Sequence, residues 1–123
     1  MRVFKSKEFA RFAARADIRD RQLCETVDRL ERGLVDADLG GGLFKQRVPR
    51  PGEGRSGGFR TVLAYRERNL SVFLYGFPKN AKANLTTDEL RLYRKLAAAY
   101  LRLTEAEIEL ATDEGELVEV SDD

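Results

Sequence analysis

The sequence predicts an α+β fold, a small antiparallel β-sheet backed by an N-terminal helical hairpin and C-terminal helices. Three observations carry this expectation. Two N-terminal stretches repeat apolar residues at helical spacing. The runs LFKQRVPR, FRTVLAYR and LSVFLYGF are rich in β-branched and aromatic residues and are separated by turn residues. Two Thr-x-x-Glu patterns, at Thr86 and Thr104, announce capped helices near the C terminus.

Taken in order, a short strand from Arg2 to Lys5 leads to Ser6, a helix N-cap. Phe9, Phe12, Ala13 and Ala16 then line the core face of a first helix, and Leu23, Val27 and Leu30 that of a second, from about Asp20 to Arg32, ended by Gly33 in a left-handed conformation. So short a turn between them suggests an antiparallel hairpin. Cys24 lies beside the Leu23 and Val27 face and reads as a small buried hydrophobe. Gly40, Gly41 and Gly42 read as a flexible connection to the strand LFKQRVPR, where Lys45 and Arg47 share one face and Phe44, Gln46 and Val48 the other. The next two strands form a hairpin around Glu67, Arg68 and Asn69, with Arg60, Val62, Ala64 and Arg66 on one face. Their apolar content places the hairpin centrally, with helices over at least one side. Leu90, Tyr93, Leu96, Ala97 and Tyr100 mark the next helix, a shorter one follows Thr104, and ELVEV supplies a possible last strand. Nothing divides the chain, so residues 1–123 are expected to form a single domain.

The composition narrows the chemistry. The chain of 123 residues contains no histidine, which removes histidine-based triads and most zinc or iron sites, and a single cysteine, which fits a reducing compartment. Glu8 and the lack of a continuous apolar run argue against a secretory signal or membrane span, so a soluble cytoplasmic protein is expected. The net charge of +1 conceals strong segregation: residues 41–82 hold nine basic and two acidic side chains, and residues 83–123 hold four and eleven. Such a basic block on one predicted sheet can form a local phosphate-binding surface even in a nearly neutral chain; charge alone equally fits a solvated sheet face balanced by an acidic tail.

Gly52-Glu53-Gly54-Arg55-Ser56-Gly57 satisfies the G-x-G-x-x-G pattern literally. A dinucleotide turn must open a helix, whereas FRTVLAYR reads as a strand, so no nucleotide cofactor is expected. The glycines instead read as a connection between two basic strands that lets the backbone approach phosphate closely.

The element order, together with LFKQRVPR, GEGRSGGFRTVLAYR and VFLYGFPKNAKANL, resembles the RelE/ParE superfamily of bacterial toxins, in a HigB-like subgroup, over nearly the whole chain. Gly57-Gly58-Phe59-Arg60, running into a strand and followed one hairpin later by Lys79, carries the resemblance most specifically. It implies a toxin of a type II toxin-antitoxin system, a cognate antitoxin as partner, and ribosome-dependent cleavage of messenger RNA by a metal-independent endoribonuclease, an mRNA interferase. The family's arginine falls on Arg60, its basic residue after the next strand on Lys79, and its basic positions on the preceding strand on Lys45 and Arg47. Many active relatives place a Tyr or His shortly after the second basic residue; this chain has Lys82 and Asn84 there.

Cleavage by attack of a 2′-hydroxyl needs a group to take its proton, cations to stabilise the phosphorane, and a proton for the leaving 5′-oxygen. The expected catalytic set is therefore Arg60 on the phosphate, its planar fork holding two oxygens, with Lys79 or Lys82 moving the proton. Lys45, Arg47, Arg50 and Arg55 are expected to hold the RNA strand, with Phe77 as a base-stacking ring and Asn84 beside it. Two other readings share the fold: a gyrase-directed toxin of the ParE kind, and a non-catalytic module that binds another protein.

Overall fold

The computed structural model describes residues 1–49, 58–79, 81 and 84–121. Their elements run β1 (Arg2–Ser6), α1 (Lys7–Ala16), α2 (Asp20–Glu31), β2 (Ala37–Gly40), β3 (Leu43–Val48), β4 (Phe59–Arg66), β5 (Leu70–Pro78), α3 (Thr87–Leu101), α4 (Glu105–Asp113) and β6 (Leu117–Glu119). The strands form one sheet in the order β2-β3-β4-β5-β1-β6. The α+β class is as the sequence predicts, with one refinement: β1 runs parallel to β5, while the other pairings are antiparallel. The two helices between β1 and the next strands carry the chain back across the sheet, and that long crossover is what a parallel neighbour requires.

Helices cover both faces. Residues Phe59, Leu63 and Phe73 turn to one side, where they pack with Phe9 and Ala13 of α1 and Leu23, Val27 and Leu30 of α2. Val62, Ala64, Val72 and Phe77 turn to the other, beneath Ala97 of α3 and Ile108 of α4. β4 and β5 are consequently buried on both sides, which explains their nearly continuous apolar sequence. The alternation of β4 is as expected from its period of two. Phe12 and Cys24, both expected in the core, are half-buried at its margin.

Local chemistry explains the helix ends. The Oγ of Ser6 accepts from the Phe9 amide at 3.1 Å, opening α1 at the last residue of β1, and Asp17 closes it with φ of 56°. Both predicted capping boxes form: Thr86 and Glu89 exchange bonds of 3.1 and 2.8 Å, and Thr104 and Glu107 bonds of 3.2 and 2.8 Å. α2 closes at Glu31 with Arg32 as its C-cap, and Gly33 follows with φ of 82°.

The expected flexible glycine connection is instead a tight turn. Gly40, Gly41 and Gly42 all have positive φ, and they join β3 to β2, a strand absent from the sequence-based expectation. Its four residues, ADLG, have little β propensity; pairing with β3, not local preference, makes them a strand.

Two interactions tie distant parts together. Arg2 in β1 reaches Glu105 and Glu109 of α4 at 3.0 Å and Glu119 of β6 at 3.0 Å, with its guanidinium 4.8 Å from the Phe4 ring. Hydrogen bonding to Glu119, against the opposing effect of burial, raises its pKa further above the usual arginine range. Lys5 donates to Asp20 at 2.8 Å, and the second Asp20 oxygen accepts from the Ser121 amide at 3.0 Å. Burial acts to raise the Asp20 carboxyl, but the hydrogen bonds from Lys5 and Ser121 and the Lys5 charge outweigh it, leaving the pKa below the ordinary value.

Two predictions follow from this packing. Because the folded Asp20 pKa is depressed, its contribution to stability is complete above the unfolded carboxylate value and disappears as pH falls through the folded one. Urea unfolding of wild type and Asp20→Asn should therefore differ at neutral pH and converge in acid. A side chain at Gly76 would strike the Phe12 ring of α1. Gly76→Ala should consequently lose about 1 to 3 kcal/mol, and distinctly less when introduced into Phe12→Ala, as a double-mutant cycle by urea unfolding would measure.

Candidate nucleic-acid interface

The basic strand face predicted from alternation exists, and strand register concentrates it at one end of the sheet. Arg47 of β3 and Arg60 of β4 are direct partners across the antiparallel ladder, and Arg60 is in turn the partner of Phe77 on β5. Opposed positions hold their Cβ atoms only about 4.5 to 5.5 Å apart, so two like charges there repel. Lys45 lies two residues from Arg47 on the same face and donates to Asn84 Oδ1 at 3.0 Å, which brings the segment before α3 against β3. Lys79 follows directly on β5, exposed, with its amide bonded to the Gly58 carbonyl at 3.3 Å. Lys45, Arg47, Arg60, Lys79 and Asn84 thus gather where the C-terminal ends of β3 and β5 meet the start of β4.

The two arginines are half-buried and incompletely satisfied. Nε of Arg47 and Nη1 of Arg60 are buried without a hydrogen-bond partner, and among the described residues no carboxylate forms an ion pair with either guanidinium. The nearby carboxylate is engaged elsewhere: Asp36 accepts from the Arg47 backbone amide at 2.7 Å and lies 3.9 Å from Arg29 Nη1. A buried donor left unpaired costs about 1 to 3 kcal/mol, and more when charged, and among the described residues no carboxylate offsets that cost for either guanidinium.

Arg29, on α2, was not singled out from the sequence. Its guanidinium donates to the Arg47 carbonyl, buttressing β3 from behind, and to Thr26 Oγ1 at 3.4 Å. Burial lowers its pKa below the ordinary value; Asp36 opposes the shift and the Arg47 charge adds to it. No local pattern could reveal this role, because the contact joins residues 18 apart in the chain.

One expectation needs correction. Phe77 is 3% exposed, packed in the core beneath α3 with its ring 5.6 Å from that of Tyr75, so it has no free face on which a base could stack. Alternation placed it correctly on the Arg60 face, but α3 covers that part of the face. Arg50, Arg55 and Lys82, with Gly52, Gly54 and Gly57, lie outside the described residues. Directly after them, Gly58 with φ of 86° leads into β4, so the glycine-rich run opens a strand and not a helix.

A protein-family model described as RelE toxin of RelE / RelB toxin-antitoxin system matches residues 1–120. No curated protein matches the chain.

Proposed function

The chain belongs to the RelE toxin family and so takes an antitoxin as its partner, and from that premise we propose that it is a ribosome-dependent messenger RNA endonuclease. The observation that carries this reading is the pair Arg47 and Arg60, directly opposed across two strands, each with a buried N–H that has no partner. A phosphodiester bridging both guanidiniums would relieve their mutual repulsion and satisfy both donors at once. Arg60, nearer the middle of the sheet, holds two non-bridging oxygens and stabilises the charge that grows on them as the 2′-oxygen closes on phosphorus. As the O2′–P bond forms and the P–O5′ bond breaks, Lys79 and Lys82 serve the proton transfers, one taking the 2′-hydroxyl proton and the other protonating the leaving 5′-oxygen. Lys45, Arg47, Arg50 and Arg55 hold the flanking phosphates, and Asn84, fixed by Lys45, offers its amide to a neighbouring base or sugar.

With so few acid/base groups, substrate geometry is imposed by the ribosome, which holds the message in an extended, reactive conformation. Within the family, the runs LFKQRVPR, GEGRSGGFRTVLAYR and VFLYGFPKNAKANL support a HigB-like subgroup.

The decisive measurement is mapping of messenger RNA 5′ ends after induced expression, which separates ribosome-dependent cleavage from gyrase poisoning or inert binding. Wild type should produce new ends within translated regions, and these should vanish when initiation is blocked. Arg60→Ala should reduce cleavage by on the order of a hundredfold to a thousandfold, as for loss of one preorganised charge-stabilising donor. Its stability should be unchanged or higher by up to about 1 kcal/mol, since the substitution removes a repulsive cross-strand pair and an unpaired donor. A folded Arg60→Ala protein that cleaves as wild type does would refute the site.

A further inference from the structure

Asn84 stands at the basic face with its hydrogen-bonding character already decided. An asparagine amide ordinarily offers an acceptor oxygen and a donor NH2, and so matches a base edge that carries one donor and one acceptor. Here Lys45 Nζ donates to Asn84 Oδ1 at 3.0 Å. An ammonium has donors only, so the atom it meets is the oxygen, and the amide nitrogen keeps its two hydrogens for something else. Asn84 is exposed and Lys45 half-buried. Among the described residues the amide nitrogen has no hydrogen-bond partner and no carboxylate pairs with Lys45.

Both residues are held in place. Lys45 sits within β3, opposite Val62 of β4. Asn84 precedes Leu85, whose side chain packs against the core beneath α3, and Thr86, the N-cap whose capping box starts that helix. The pair therefore meets a ligand with little conformational freedom left to lose. Register also sets its distance from the arginines. Arg60 lies two residues before Val62, which makes it the diagonal neighbour of Lys45, about 7 to 8 Å away on the same face.

We infer that Lys45 and Asn84 form a guanine-reading pair, an assignment that rests on the reading of this face as a messenger RNA site and adds a base preference to it. With Oδ1 occupied, the pair presents donors only: the NH2 of Asn84 and the remaining ammonium hydrogens of Lys45. Guanine carries two neighbouring acceptors, N7 and O6, on one edge and satisfies both. Adenine has an amino group in place of O6, so the same approach sets a donor against a donor. Discrimination comes from that mismatch as much as from the match, because a donor trapped against a donor loses the bond it made to water. Cytosine offers its own acceptor pair, N3 and O2, but the guanine edge is the one a cationic side chain contacts most often. A free asparagine would choose the other way, since its oxygen and nitrogen fit the amino group and N7 of adenine. Lys45 thus turns an adenine reader into a guanine reader. Edge contacts also suit a face on which Phe77 is buried and gives no stacking surface. A nucleotide whose phosphate rests on Arg47 and Arg60 carries its base toward this pair.

The test uses the full chain and short labelled RNAs of sequence UUXUU, with X as guanine, 7-deazaguanine, cytosine or adenine, read by fluorescence anisotropy. Wild type should bind the guanine RNA about tenfold more tightly than the adenine RNA, the discrimination of a two-bond contact, with cytosine between them. 7-Deazaguanine, which lacks the N7 acceptor, should fall most of the way to adenine. Asn84→Ala, at an exposed position, should melt as wild type does and bind guanine and adenine equally. Lys45→Met, which releases Oδ1, should weaken binding of every RNA and bring adenine level with guanine or above it. Arg60→Ala should weaken all four by one factor and leave their ratios unchanged. In cells, guanine should recur at one fixed position beside the mapped wild-type ends. Equal binding of guanine and adenine by wild type, tighter binding of cytosine than guanine, no RNA binding, or a guanine preference that survives Asn84→Ala would each overturn the assignment. Guanine preference without cleavage would count against the endonuclease alone, and cleavage without preference against the base assignment alone, so the two readings fail separately.

Discussion

The structure depends on the burial of β5 on both faces and its pairing along both edges. β4 lies antiparallel on one side and β1 parallel on the other, while Phe73 turns into one core and Val72 into the other. From Leu70 to Phe73, where both neighbours pair with β5, its backbone bonds are made on both edges, and its side chains are locked against two helical layers, which is the condition for a rigid sheet. The ladder irregularity between Val62 and Leu63 accommodates Leu74 without disturbing either core. The candidate site is hung on this strand: Arg60 is aligned against Phe77, and Lys79 follows its last residue.

Rigidity explains how the protein tolerates two arginines facing one another. Cross-strand repulsion and two unpaired buried donors oppose folding, yet both side chains sit on strands fixed by neighbours that contribute nothing to the charge. Arg29 and Asp36 reinforce this from the edge, holding the β3 backbone at Arg47 from both its carbonyl and its amide. The two guanidiniums are thus held in place with their unfavourable electrostatics built into the fold.

The two charged surfaces differ in the geometry that makes them. At the basic end, positive charge comes from adjacent strands and converges on a small area, which suits a phosphate. Along α1 it comes from Lys7, Arg11 and Arg15, a helical row about 12 Å long, from eight steps of 1.5 Å. The clasp of Arg2 with Glu105, Glu109 and Glu119 holds α4 and β6 against β1.

Much of this was legible in the sequence because it depends on local rules. Capping boxes, the N-cap at Ser6, the period-two faces of β3 and β4, and the charge block with Arg60 and Lys79 all depend on residues a few positions apart. Sequence by itself determined the types of the elements other than β2, the amphipathic faces and the concentration of basic residues on the middle strands. Tertiary structure decided what lies opposite what: that ADLG becomes a strand, that β1 joins β5 in parallel, that α3 covers Phe77, and that Arg47 confronts Arg60. The physical reason is that periodicity assigns a side chain to a face, whereas exposure and electrostatic environment are set by register and by which helix packs over that face, and these are fixed only when distant segments meet.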